Sequence, residues 1–165
     1  MSPIILRQKG GTIDAAMVIQ ALNWGSIELY GRCIIEGDLV FSSDVNSDIS
    51  IKNCSFNGEV NFNSVCFNKD IDFSGSIFNE KANFGGSRFK ECVKFVDAYF
   101  MKSAHFDCTI FYKNVDLILH HSMMMFHLMM QDSLHLDITK SLNLIMRYFK
   151  VQWHLQILLL KAIII

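Results

Sequence analysis

From residue 54 onward, small, variable and aromatic positions follow one another on a fixed clock. Phenylalanine stands at Phe56, Phe62, Phe67, Phe73, Phe78, Phe84, Phe89, Phe95, Phe100, Phe106 and Phe111, at intervals of six and five residues in strict alternation. Two residues before each ring the chain is small or β-branched, as at Cys54, Val60, Val65, Ile71, Ser76, Ala82 and Ser87. Asn or Gly commonly follows the ring. Positions i−2 and i of an extended strand share a side, so the small residue and the ring both point inward. The residue between them points out: Asn61, Asp72, Asn83, Lys94 and His105. The Asn and Gly residues provide the backbone conformations of a tight corner. An inward pair followed by a corner, repeated every five or six residues, fits neither a flat sheet nor a helix. The chain has to coil.

Four such steps make a square turn of 22 residues, the sum of two six-residue and two five-residue intervals. This period predicts four stacks of rings. They are Phe56 with Phe78 and Phe100, Phe62 with Phe84 and Phe106, Phe67 with Phe89 and Phe111, and Phe73 with Phe95. Turns should lie about 4.8 Å apart, the spacing of paired strands, and each buried ring should contribute about 1.5–3 kcal/mol. The period carries the rings into a core, which argues against a ligand cage. The pattern continues at Ile49-Ser50-Ile51 and Val115-Asp116-Leu117, and more loosely at Gly37-Asp38-Leu39-Val40-Phe41.

Segments such as Val60-Asn61-Phe62-Asn63, Ile71-Asp72-Phe73-Ser74-Gly75 and Ala82-Asn83-Phe84-Gly85-Gly86 resemble the pentapeptide-repeat proteins. The similarity is to their Phe-centred subgroup with alternating spacing, and it covers residues 48–117. The segment Ile34-Ile35-Glu36-Gly37-Asp38-Leu39 is similar to the start of archaeal members. The resemblance implies an all-β fold, a right-handed quadrilateral parallel β-helix. It departs from the commonest family pattern in placing Phe rather than Leu at the centre and in its six-residue steps.

A solenoid exposes an apolar end that needs a cap. Residues 12–23 supply a candidate helix, with Thr12 as N-cap, Gly25 as stop, and Ile13, Met17, Val18, Ala21 and Leu22 on one face. Trp24 would extend the contact, and Ile27 through Ile35 reads as one or two leading strands. The expected organisation is an N-terminal segment over residues 1–31, a β-helix over 32–117 and a C-terminal tail over 118–165. In the tail Ser122 stands where the next ring is due, and five of six histidines and six of nine methionines gather there. Two accounts stay open: a shifted reading frame of the same repeat, or a helical cap or dimerisation segment centred on residues 141–165.

Composition narrows the chemistry. The 165-residue chain is 51% hydrophobic with a net charge of −1, so neither disorder nor a basic nucleic-acid binder is indicated. Residues 38–111 hold ten acidic and seven basic side chains. Five cysteines, Cys33, Cys54, Cys66, Cys92 and Cys108, show no C-x-x-C pair and imply buried reduced thiols in a cytoplasmic setting. His120, His121, His127, Asp132, His135 and Asp137 lack ligand spacing. His105 and Cys108 lack the third group and cleft of a nucleophilic pair. Gly85-Gly86 is corner chemistry rather than a phosphate cradle. No catalytic, cofactor or metal residues are assigned. The function expected is a non-enzymatic scaffold for an unidentified protein partner, with self-association through a coil end as a further route. The alternative raised by the resemblance is a DNA mimic that binds a type II topoisomerase. A membrane contact by residues 155–165 is a minor expectation.

Overall fold

The computed structural model describes residues 4–116. They form a four-sided parallel β-solenoid of about five turns with one helix near its N-terminus. Each side is a short parallel sheet. The first side stacks β4 (Ile49–Ile51), β8 (Ile71–Asp72), β12 (Val93–Lys94) and β16 (Val115–Asp116). The second stacks β5 (Ser55–Phe56), β9 (Ile77–Phe78) and β13 (Tyr99–Phe100). The third stacks β3 (Leu39–Val40), β6 (Val60–Asn61), β10 (Ala82–Asn83) and β14 (Ala104–His105). The fourth stacks β7 (Cys66–Phe67), β11 (Arg88–Phe89) and β15 (Ile110–Phe111), with Val45 bridged to Phe67. The registers are in phase at 22 residues: Val60 pairs with Ala82 and Ala82 with Ala104.

All four expected ring stacks are present. Phe56–Phe78, Phe78–Phe100 and Phe67–Phe89 each have centroids 4.6 Å apart and near-parallel planes. Phe62–Phe84, Phe84–Phe106, Phe73–Phe95 and Phe89–Phe111 lie 5.8, 5.0, 5.4 and 5.0 Å apart. Between stacks the rings meet edge to face, as in Phe73–Phe78 at 78° and Phe84–Phe95 at 76°. Both arrangements suit the ring quadrupole, and each such pair adds about 0.5–1.5 kcal/mol to area burial.

The five/six alternation is an alternation of corner types. In the five-residue steps the residue three after the ring donates its N–H to the ring residue's carbonyl: Val65 to Phe62 at 3.2 Å, Ser76 to Phe73 at 3.1 Å, Ser87 to Phe84 at 3.1 Å. The residue before each donor has positive φ: Ser64 at 61°, Gly75 at 67° and Gly86 at 67°. That is the type II turn. The six-residue corners are wider, and their N–H groups bond the turn below, as Asn79 does to Phe56 O at 2.9 Å.

The leading turn is built differently. β1 (Ile4–Asp14) and β2 (Gly25–Glu36) are long strands paired in parallel, each crossing a corner at Gly10-Gly11 or Gly31-Arg32. Because β2 crosses its corner, the first two sides merge into one nine-stranded sheet. Helix α1 (Ala15–Trp24) joins the two strands and packs on β1, β2 and β3, standing in for the other two sides.

Three expectations change here. The helix starts at Ala15 rather than residue 12, because Thr12 and Ile13 are held in the β1 ladder against Ile34 and Ile35. Asp14 is the N-cap instead, accepting from the Ala16 N–H at 2.8 Å. Of the expected face, Val18, Ala21 and Leu22 are buried on the helix and Ile13 on β1, with Ala15 added, while Met17 and Trp24 are 51% and 71% exposed. Gly25 ends the helix as expected. Finally, β2 runs unbroken through the boundary placed between residues 31 and 32, and β1 belongs to the coil, so the coil includes the described residues from Ile4 on. The expectations for Leu117 and residues 118–165 fall outside the described residues.

Candidate functional site

A solenoid of this form offers its faces, so the outward columns are the natural place to seek function. The columns come together as the period requires. Asn61, Asn83 and His105 stack on the third side, and Asp72, Lys94 and Asp116 on the first. Several of these side chains are occupied in holding the fold. Asn61 Oδ1 accepts from the Asn63 N–H at 3.0 Å, Asp72 Oδ1 from Ser74 at 2.9 Å, and Asn83 Oδ1 from Gly85 at 2.9 Å. Each closes a local turn leading into a five-residue corner. At the wide corners Asn79 Nδ2 donates to Asn57 Oδ1 and Asn57 Nδ2 to Glu36 Oε1, both at 2.8 Å. A second amide ladder joins Asn68 Nδ2 to Asn46 Oδ1 at 2.8 Å.

Charge alternates from turn to turn. Lys102 pairs with Glu80 and Lys113 with Glu91, each one turn apart. Arg7 pairs with Glu28 at 2.5 Å, and Lys52 reaches Asp72 at 3.9 Å. In-register neighbours stand about 4.8 Å apart, so like charges would repel in every column. The hydrogen bond that the exposed Lys113 ammonium donates to Glu91 raises its pKa.

No family model, curated protein or solved structure matches the chain. Function therefore has to be read from the surface itself.

His105 Nδ1 lies 3.7 Å from Asp107 Oδ2, while Cys108 sits exposed at the corner with φ of 55°. Among the described residues no group of three or more His, Cys, Asp and Glu side chains comes within reach of one metal ion. The histidine and aspartate positions of the tail lie outside those residues. So does the apolar segment 155–165, and no described helix is long and apolar enough to cross a membrane.

Two features were not drawn from the sequence. The second side carries the outward column Ile34, Ser55, Ile77 and Tyr99, much less polar than the Asn and Asp columns. The outward rule that gives Asn61 and Asn83 would also have given this column, applied to the rings at 56, 78 and 100. An open hollow of about 380 Å³ lies beside it, lined by Arg32, Ile34, Asn53, Cys54, Ser55, Gly75 and Ile77. The other feature is the stacking of Cys33 and Cys54 in the core, 0% and 2% exposed. Burial is the main cause pushing the Cys54 thiol from 9.0 up to about 12, with a smaller contribution from the neighbouring Cys33.

Proposed function

We propose that the protein is a non-enzymatic interaction scaffold of the pentapeptide-repeat kind, which holds a flat β-face for another protein to bind. The carrying observation is the form of the surface. It consists of in-register columns on straight sides, with open hollows of about 380 and 280 Å³ rather than a deep cleft among the described residues. The five/six spacing and the four ring stacks support the repeat kinship. On the second side Ile34, Ile77 and Tyr99 provide apolar contact, and the charged columns at the adjoining corners form a polar rim, the usual anatomy of an interface. Five free thiols suit a reducing, cytoplasmic setting.

The test is affinity capture with quantitative mass spectrometry, comparing the native chain, Ile77→Lys and Lys94→Ala. A protein captured by the native chain and by Lys94→Ala but lost with Ile77→Lys supports the reading. An identical captured set for all three overturns it for this face.

Mimicry of DNA toward a type II topoisomerase is the second reading, favoured by ten acidic against seven basic residues over positions 38–111. It needs a continuous negative surface, and the alternation of Lys and Glu between turns breaks one up. A gyrase supercoiling assay should show full activity at excess protein. Inhibition at stoichiometric protein would put mimicry in place of the scaffold.

A further inference from the structure

We propose that Cys33 and Cys54 form a two-coordinate site for a soft monovalent cation, of which Cu(I) is the type. The two thiols occupy one column. Arg32 N–H donates to Asn53 O at 2.8 Å just before them, and Ile34 pairs with Ser55 just after. Cys33 and Cys54 therefore stand one above the other on adjacent turns, both inward.

The spacing decides between two chemistries. A disulfide needs Cβ atoms about 3.5–4.5 Å apart. In-register side chains of parallel strands are held about 4.7–4.9 Å apart. Two metal–thiolate bonds of about 2.3 Å in line span about 4.6 Å. The pitch of the solenoid thus fits linear S–metal–S coordination and opposes a disulfide, and both cysteines are free.

The surroundings limit the site to two ligands. On one side the column continues to Gly11, which has no side chain. On the other side the Ser76 hydroxyl is already engaged, donating to Ile51 O at 2.8 Å and accepting from Cys54 N–H at 3.2 Å. Two thiolates alone favour soft Cu(I) over harder divalent ions. The present partners of the thiols are weak: Cys33 donates to Tyr30 O at 3.3 Å and Cys54 to Lys52 O at 3.2 Å.

A surface hollow lined by Arg32, Asn53 and Ser55 also borders Cys54, while both thiols face the core. On binding, two S–H bonds break, two protons pass to solvent and two metal–sulfur bonds form, with no change of oxidation state. The complex carries one negative charge, and Arg32 precedes Cys33 in the chain.

The test uses the full chain with Cys66→Ser, Cys92→Ser and Cys108→Gly together, leaving one thiol pair. Under anaerobic conditions Cu(I) is titrated against a chromogenic chelator. One equivalent should be held by this variant, and adding Cys54→Ser should weaken it more than about 100-fold, since even outer partners of a metal ligand are worth roughly 10–100-fold. Serine is the native occupant of this slot one turn on, at Ser76, so circular dichroism should show an unchanged fold. X-ray absorption of the loaded protein gives an independent readout. Two short metal–sulfur distances with no nitrogen support the site. Retained affinity in the Cys54→Ser variant, or a shell of imidazole nitrogen or thioether sulfur, overturns it.

Discussion

The leading turn and the aromatic ladder solve the same problem with different material. From Ile49 onward every side is a rung of two or three residues, and the interior is filled by rings that stack along the coil axis. From Ile4 to Val45 the same interior positions are held by Ile13, Leu29, Ile35, Leu39, Phe41 and Val45. Continuous β1–β2 pairing and helix α1 replace the repeated rungs. The ladder depends on strict spacing, because one inserted residue would change a corner type and throw the later rings out of register with those one turn below. The leading turn tolerates a register shift between Lys9 and Gly11, since a long ladder of backbone hydrogen bonds resumes on the far side. Regularity is thus needed where side chains stack, and can be relaxed where backbone pairing carries the load.

The largest expected effect comes from breaking the ladder at its centre. Phe84 is fully buried and meets the rings of Phe62, Phe73, Phe78, Phe89, Phe95 and Phe106. Phe84→Ala should cost about 3–5 kcal/mol in urea denaturation. Lys81→Ala, at an exposed corner, should stay within about 0.5 kcal/mol of the native chain. Equal costs for the two would sink the inward register.

The seam between the two regions comes next. A Cβ on Gly58 would lie 2.1 Å from the carbonyl oxygen of Gly37, backbone against backbone, where the ladder meets the leading turn. Neither chain can give way there, so Gly58→Ala should destabilise by at least about 1–3 kcal/mol. At Gly85 the tight contacts of a Cβ would be side-chain atoms of Asn83 and Asn63, at 3.1 and 3.2 Å, with the Asp107 carbonyl oxygen at an ordinary 3.6 Å. Gly85→Ala should therefore cost clearly less by thermal melting. The reverse order would mean the two regions do not pack as closely as this.

The contrast also explains what was legible in the sequence. Eleven rings at five and six residues carry the coil, its four stacks and its 22-residue turn without any structural help. β1 was not legible because its apolar residues are few and the glycine pair at its corner interrupts the period. Thr12 has the chemistry of an N-cap, but pairing across to Ile34 overrides that local preference. The corner alternation was present in the intervals, yet its cause lies in backbone hydrogen bonds that composition does not display. The thiol pair escaped notice because Cys33 and Cys54 are 21 residues apart, and only the fold puts them on one rung. Among outward residues, polarity drew attention to Asn61 and Asn83, while Ile77 and Tyr99 follow the same positional rule.

Smaller effects separate packing from polar linkage within the ladder. Ser87 is buried and its hydroxyl donates to Phe62 O at 2.5 Å, one turn below. Ser87→Ala keeps a small inward side chain of the kind found at Ala82 and Ala98, and Phe62 O still accepts from the Val65 N–H at 3.2 Å. The loss should be about 0.5–1.5 kcal/mol, the worth of one hydrogen bond. A loss as large as that of Phe84→Ala would mean that inter-turn hydrogen bonds, rather than ring stacking, distinguish the ladder from the leading turn.

The smallest effect has the opposite sign. Cys108 occupies the third position of a five-residue corner at φ of 55°, where Gly86 stands one turn earlier at 67°. A side chain in the left-handed region costs roughly 1–2 kcal/mol, while glycine adds roughly 0.5–1 kcal/mol of chain entropy to be lost on folding. Cys108→Gly should therefore raise stability by about 0.5 kcal/mol. Gly75→Ala is the mirror test at the opposite five-residue corner. It would force a side chain into φ of 67° and bring Cβ to 2.2 Å from Asn53 Oδ1, so stability should fall. Opposite shifts of the two denaturation midpoints would tie the five-residue steps to left-handed corners. Shifts in the same direction would detach the spacing rule from the turn type.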